Sequence, residues 1–321
     1  MAKTILEFEK PIIELEQKME EMRRYADNPD IALEIGKIEK RVNQLQLAVY
    51  SGLTRWQKVQ LARHADRPYT LDYIGLMTKD FIELHGDRHF RDDHAIVGGF
   101  AHLDDRKVML IGHQKGRDTK SNVFRNFGMP NPEGYRKAFR LMKLAEKFRI
   151  PVVTLLDTPG AFPGLEAEER GQAEAIALNL REMSRLGVPV ITIVIGEGGS
   201  GGALGLGVAN RVYMLENAYY SVITPESCAA IIYRDSGKAP EAARALRLSS
   251  GDLMALGLID GVIAEPSEGA HTDVDKAAEF VKEAIRSALS ELAFLSSEEL
   301  IDDRYNKFRR MGSFFAEGQG A

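Results

Sequence analysis

The sequence is poor in the features that mark several classes of protein. It has one cysteine, Cys228, in 321 residues. That excludes an internal disulfide and any cysteine-rich zinc site in this chain. No apolar run reaches the length that spans a membrane, and residues 1–10 place acids where a signal peptide needs an apolar stretch. Positive charge is not in excess: the net charge is −5 and the pI about 5.9, which argues against a dedicated nucleic-acid binder. A soluble protein of the reducing cytoplasm is expected. What the chain does have is 44% hydrophobic residues and 29 glycines, enough for one large core with an appendage.

Glycine is concentrated in residues 191–207, Ile-Thr-Ile-Val-Ile-Gly-Glu-Gly-Gly-Ser-Gly-Gly-Ala-Leu-Gly-Leu-Gly. The β-branched run fits a buried strand. The glycines that follow allow backbone N–H groups to come close to a ligand. The stretch reads as a strand feeding a backbone-lined pocket at a helix N-terminus.

An internal repeat points the same way. Residues 149–160 and 187–198 share Pro, Val, Thr and a final Gly at a shift of 38 positions. A helix precedes each copy, over 132–148 and 166–186. Two helix–strand–glycine-loop units in series predict parallel strands with both loops at the same strand ends, where ligands bind in such sheets.

The remaining pattern is α/β. Residues 1–60 carry Ile5, Phe8, Ile12, Leu15, Met19 and Met22, then Ile31, Ile35, Ile38, Val42, Leu45 and Val49, at helical spacing on either side of Asn28-Pro29. Such a hairpin buries its apolar face on its own body or at a subunit interface. A helix over 71–84 follows, then strands over 95–102 and 107–113. Further strands are expected at 212–215, 219–223 and 259–264, helices at 240–246, 251–256 and 274–292, and a capping box at Ser296 and Glu299. Residues 312–321 read as a frayed tail. The boundaries are 1–60 for the helical segment, 61–295 for the main domain and 296–321 for the C-terminal helix and tail. Residues 106–149 hold twelve Lys/Arg against three acids, a basic segment facing solvent, an anionic substrate or an acidic partner.

Three chemistries compete for the glycine loop. Gly196, Gly198 and Gly201 fit G-x-G-x-x-G with Glu216 twenty residues on, but residues 203–210 are too few for the expected crossover helix. Gly198-Gly199-Ser200-Gly201-Gly202 fits G-x-S-x-G, with Asp252, Asp260 and His271 downstream in hydrolase order. Against it, the strand is expected to end at Ile195, five residues before Ser200. The third is a pair of backbone oxyanion sites, one at residues 157–161 and one at Gly201-Gly202-Ala203, suited to an enolate-type intermediate.

Beyond these patterns, the sequence resembles the alpha subunit of bacterial acetyl-CoA carboxylase carboxyltransferase. The resemblance lies in residues 67–73 (R-P-Y-T-L-D-Y), 111–117 (I-G-H-Q-K-G-R), 126–130 (N-F-G-M-P), 157–161 (D-T-P-G-A) and 196–203. It implies a crotonase-like spiral of ββα units with an N-terminal helical extension. It also implies transfer of a carboxyl group from carboxybiotin to acetyl-CoA, giving malonyl-CoA for fatty acid synthesis. Carboxybiotin would arrive on the biotin carboxyl carrier protein after biotin carboxylase has charged it. The expected partner is a beta subunit carrying the family's zinc, in an alpha2-beta2 heterotetramer, with no cofactor covalently bound and no metal on this chain. By the same resemblance Gly201 and Gly202 are the backbone donors. Gly160, Ala161, Phe162, Gly164, Gly198, Gly199 and Ala203 would wall the carboxybiotin side. Lys115, Arg117, Lys120 and Arg125 would meet CoA phosphates or the partner. Phe162 stands where many members have tyrosine.

Overall fold

A computed structural model describes residues 4–25 and 27–312. Two long helices come first, α1 (Lys10–Arg23) and α2 (Pro29–Ser51). Asn28 caps α2 by accepting from Asp30 N–H at 2.9 Å, and Pro29 sets its first turn. They bury Ile12, Ile38 and Val42 against each other, with Leu15, Met19, Met22, Leu45, Val49 and Tyr50 alongside. Their apolar stripe thus faces the hairpin's own interior. The hairpin meets the body where the backbone carbonyl of Thr4 reaches His64 Nε2 at 3.0 Å.

In the body, α3 (Arg55–Ala62) and α4 (Thr70–Met77) precede strand β1 (Lys79–Glu83). The helix expected over 71–84 therefore stops at Met77. Thr78 turns extended and closes the helix, its Oγ1 donating to Ile74 O at 2.7 Å. Residues 79–83 then take the sheet edge beside β2 (Ile96–Leu103). Edge pairing outweighs the helical spacing because Gly99 lets the β1 backbone in: a Cβ there would lie 1.9 Å from Ile82 O. β2 turns into β3 (Arg106–His113), and α5 (Thr119–Phe124) and α6 (Pro132–Lys147) follow.

Next come β4 (Val152–Thr158), α7 (Leu165–Glu169), α8 (Gln172–Met183), β5 (Val190–Gly199) and α9 (Ser200–Leu204). The helix expected over 166–186 is divided by Gly171, whose φ of 82° breaks the turn. β6 (Arg211–Leu215), β7 (Tyr219–Ser221), α10 (Pro225–Tyr233), α11 (Ala239–Leu246), α12 (Ser250–Ala255), β8 (Gly261–Ile263), α13 (Val274–Leu292) and α14 (Ser297–Arg310) complete the order. The expected tail, 312–321, lies outside the described residues but for Gly312.

The sheet runs β1-β2-β3-β4-β5-β6-β8, with β7 also on β5. β1 to β3 are antiparallel, and every pairing from β3 onward is parallel. β5 is shared: its residues 191–194 pair with β6 and its residues 197–199 with β7. β4 and β5 are buried along their whole length, as unbroken apolar runs in a two-sided sheet should be. The crossover from β5 to β6 is parallel yet takes only residues 200–210. A five-residue helix suffices, so the length argument drawn from 203–210 fails.

Candidate functional site

The 38-residue repeat is the register of β4 against β5. Val152 faces Val190, Thr154 faces Thr192 and Leu156 faces Val194. Beyond that point β4 advances two residues while β5 advances four, so that Thr158 faces Gly198. This bulge brings the two loops together. A Cβ on Gly199 would lie 2.1 Å from Pro159 O, and one on Gly202 would lie 2.3 Å from Ala161 N and 2.4 Å from the carbonyl carbon of Gly160. Backbone packs directly on backbone, so only glycine fits at these two positions. Gly201, by contrast, would meet nothing nearer than Ile176 Cγ2 at 4.0 Å.

The loops are held from behind. Tyr135, fully buried on α6, donates to Gly202 O at 3.1 Å. Thr158 Oγ1 accepts from Gly160 N–H at 3.1 Å. Gln172 Nε2 donates to Phe162 O at 3.0 Å and to Pro130 O at 2.8 Å. The Phe162 ring lies so close over Gly164 that a Cβ there would be 2.3 Å from it. The amides of Gly201 and Gly202 fall in the first turn of α9, where a helix supplies no acceptor of its own. Ala203 is buried. A cavity of about 380 Å³ opens beside this turn, lined by Ser200, Gly201, Leu204, Tyr220, Val222 and Leu258 among others. Its wall is largely apolar and carries no charged side chain.

Beneath the loops lies a buried charge cluster that sequence reasoning missed. Lys115 Nζ donates to Asp157 Oδ1 and to Glu197 Oε1, each at 2.7 Å. Glu197 Oε2 accepts from Arg63 Nε at 2.7 Å and from Tyr219 OH at 2.6 Å. Burial works against the charge on Lys115, but the two carboxylates outweigh it and hold the ammonium well above the ordinary lysine range. Burial also raises the pKa of Asp157. For Glu197 burial opposes ionisation too, yet Lys115 and Arg63 bring it down to about 2. His113 is buried at the end of β3, with Asp157 N–H 3.4 Å from its Nδ1. Burial and then Lys115 push this ring down to about 3, so it is neutral. A sequence signal existed: an acid stands at the end of each apolar strand run, Asp157 directly after Leu156 and Glu197 one glycine after Ile195.

The four basic residues expected on an anion-facing wall are mostly engaged. Lys115 points inward, as above. Arg117 is tied to Asp72 and the Ala65 carbonyl and lies over the Tyr69 ring. Arg125 donates to His94 O at 2.9 Å. Lys120 is exposed, without an ion pair among the described residues.

The geometry also decides between the motif strings. Gly196 and Gly198 sit inside β5 rather than in a phosphate-binding turn, which removes the dinucleotide reading. For the hydrolase, the expected strand end at Ile195 is wrong. β5 runs to Gly199, and Ser200 follows at a left-handed φ of 54° on a sharp strand-to-helix turn. Its partners fail instead. His271 stacks on His64 with ring centres 4.0 Å apart, Asp252 is bound by Arg55, and Asp260 by Lys307. No triad assembles.

The family described as acetyl co-enzyme A carboxylase carboxyltransferase-like matches residues 5–312. The acetyl-coenzyme A carboxylase carboxyl transferase subunit alpha of Chlorobium phaeovibrioides is 58% identical, covering 98% of this chain and 99% of its own. That of Thermus thermophilus is 57% identical over 96% and 98%. Among solved structures, a transcarboxylase 12S with methylmalonyl-coenzyme A bound superposes with a TM-score of 0.57 at 21% identity, over 79% of this chain and 44% of that one. The Pseudomonas malonate decarboxylase hetero-dimer gives 0.57 at 17%, over 75% and 95%. These share the crotonase fold expected from the sequence. The chain belongs to the acetyl-CoA carboxylase carboxyltransferase alpha-subunit family.

Proposed function

We propose that this chain supplies the carboxybiotin side of an acetyl-CoA carboxyltransferase, with the amides of Gly201 and Gly202 as its oxyanion donors. The observation that carries the reading is the apolar cavity of about 380 Å³ whose rim includes Gly201. A neutral, fused-ring urea suits an uncharged wall. As its N–CO2 bond breaks, negative charge gathers on the ureido oxygen, and preorganised amides stabilise that charge. The free ring nitrogen can then take the acetyl proton, and the enolate carbon so formed bonds to the released CO2, so no side-chain base is required. Gly160, Ala161, Phe162 and Gly164 would form the adjoining wall, with Gly198, Gly199 and Ala203 behind.

Acetyl-CoA would be held mainly by a beta subunit, which would also carry the family's zinc. The carrier protein would deliver the biotin, and an alpha2-beta2 assembly would place the two halves of the site together. Among the described residues no helix is long and apolar enough to cross a membrane, and none of their His, Cys, Asp and Glu groups forms a metal cluster.

The test uses free biotin in the complex with a beta subunit. Val222 lines the cavity and is 77% exposed, so Val222→Trp fills space without disturbing the core. The KM for biotin rises tenfold or more while the melting temperature holds. An unchanged KM contradicts the placement.

A further inference from the structure

We infer that Lys115 is a positioning residue for the glycine loops, acting through the bulge in β5. The inference rests on the proposed oxyanion role of Gly201 and Gly202. At the bulge, β5 loses its regular pairing with β4, and its free backbone groups need other partners. Each finds one. Ile195 C=O accepts from Arg67 Nη2 at 2.9 Å, and Arg67 is itself buried and paired with Glu265 at 2.7 Å. Glu197 N–H donates to Asp157 Oδ1 at 2.9 Å. Gly196 leaves the room for this: a Cβ there would lie 2.5 Å from the same oxygen.

Asp157 therefore stands in for the missing ladder partner. That oxygen needs a cation, because it is buried beside a second carboxylate on Glu197. Lys115 bridges both, tying the ends of β3, β4 and β5 at one nitrogen. Downstream of this tie, the two-residue slip brings Gly199 against Pro159 and Gly202 against Gly160 and Ala161. Without the ammonium, two carboxylates would share a dry site and repel, and the bulge would lose the partner of Glu197 N–H. The amides of Gly201 and Gly202 would then lose their fixed direction. Lys115 touches no substrate in this scheme.

The experiment compares wild type, Lys115→Met and Lys115→Arg in the complex with a beta subunit, following malonyl-CoA decarboxylation with free biotin. Lys115→Met should lower kcat on the order of 10²-fold with KM within about threefold, and Lys115→Arg should recover part of the loss. A folded Lys115→Met complex with full kcat overturns the role. Hydrogen exchange over residues 196–203 of the chain alone gives a second readout that does not depend on the reaction. Lys115→Met should speed it, and unchanged exchange overturns the proposal. An inactive wild-type complex would instead refute the proposed function, leaving the exchange result to decide on Lys115. Should Lys115→Met not fold, Lys115→Gln also removes the ammonium while keeping a hydrogen-bond donor, with the same expected and contrary outcomes.

Discussion

The hydroxyl oxygens of Thr154 and Thr192 stand 2.7 Å apart across β4 and β5, and both reach the carbonyl of Leu206, at 2.8 and 3.2 Å. The two residues are 38 positions apart, the period of the sequence repeat. Two copies of one strand lie side by side in register, and their shared threonines hold the chain as it leaves α9. Thr154→Val and Thr192→Val should each cost about 1 kcal/mol in urea unfolding. The double variant should cost less than the sum, because both act on one network. Additive losses would contradict the shared network.

Gly202 and Gly201 should separate sharply. An alanine at 202 collides with backbone of the facing loop, whereas one at 201 is in ordinary contact. Gly202→Ala should lose on the order of 10²–10³ in rate through displaced amides. Gly201→Ala should fold with the wild-type melting temperature. Equal effects on rate and folding would contradict the loop packing.

Ser200 should be dispensable as a nucleophile. Ser200→Ala should keep activity within about threefold, and a fluorophosphonate should leave Ser200 of the wild type unlabelled. A labelled Ser200, or a dead alanine variant, would revive the hydrolase reading that the dispersed Asp252, Asp260 and His271 exclude.

His113 sets part of the acid stability. Its folded pKa, about 3, lies below the ordinary 6.5, so between those values the unfolded chain binds the proton and the folded chain does not. Stability is complete above about pH 6.5 and falls as pH drops toward 3, at about 1.4 kcal/mol per pH unit. From pH 6.5 to 5 this amounts to about 2 kcal/mol, and His113→Gln should remove it. Glu197 adds a later loss, since its folded value of about 2 lies below the usual 4.5. That contribution is present above about pH 4.5 and fades as pH falls through 2. Equal pH slopes for wild type and His113→Gln between 6.5 and 5 would contradict the assignment.

Much of this was legible in the sequence because it follows from local pattern. The repeat announced two parallel strands, and the β-branched runs marked them as buried. The Asn28-Pro29 pair marked the start of α2. What stayed hidden depends on pairing across the sheet. The two-residue slip after Leu156 leaves no trace in periodicity, so β5 was expected to end at Ile195 rather than Gly199. Lys115 looked like one charge in a basic run, and only the fold shows it turned onto Asp157 and Glu197. Residues 79–83 read as helix because their partner, the Gly99 edge of β2, is remote from them in sequence.

The proposed function makes this chain one half of a carboxyltransferase whose donors are backbone amides. Its most direct test is malonyl-CoA decarboxylation with free biotin by this chain alone, by a beta subunit alone, and by the two mixed. Turnover should appear only in the mixture and be abolished by Gly202→Val. Full turnover by this chain alone, or an unimpaired Gly202→Val mixture, would contradict it.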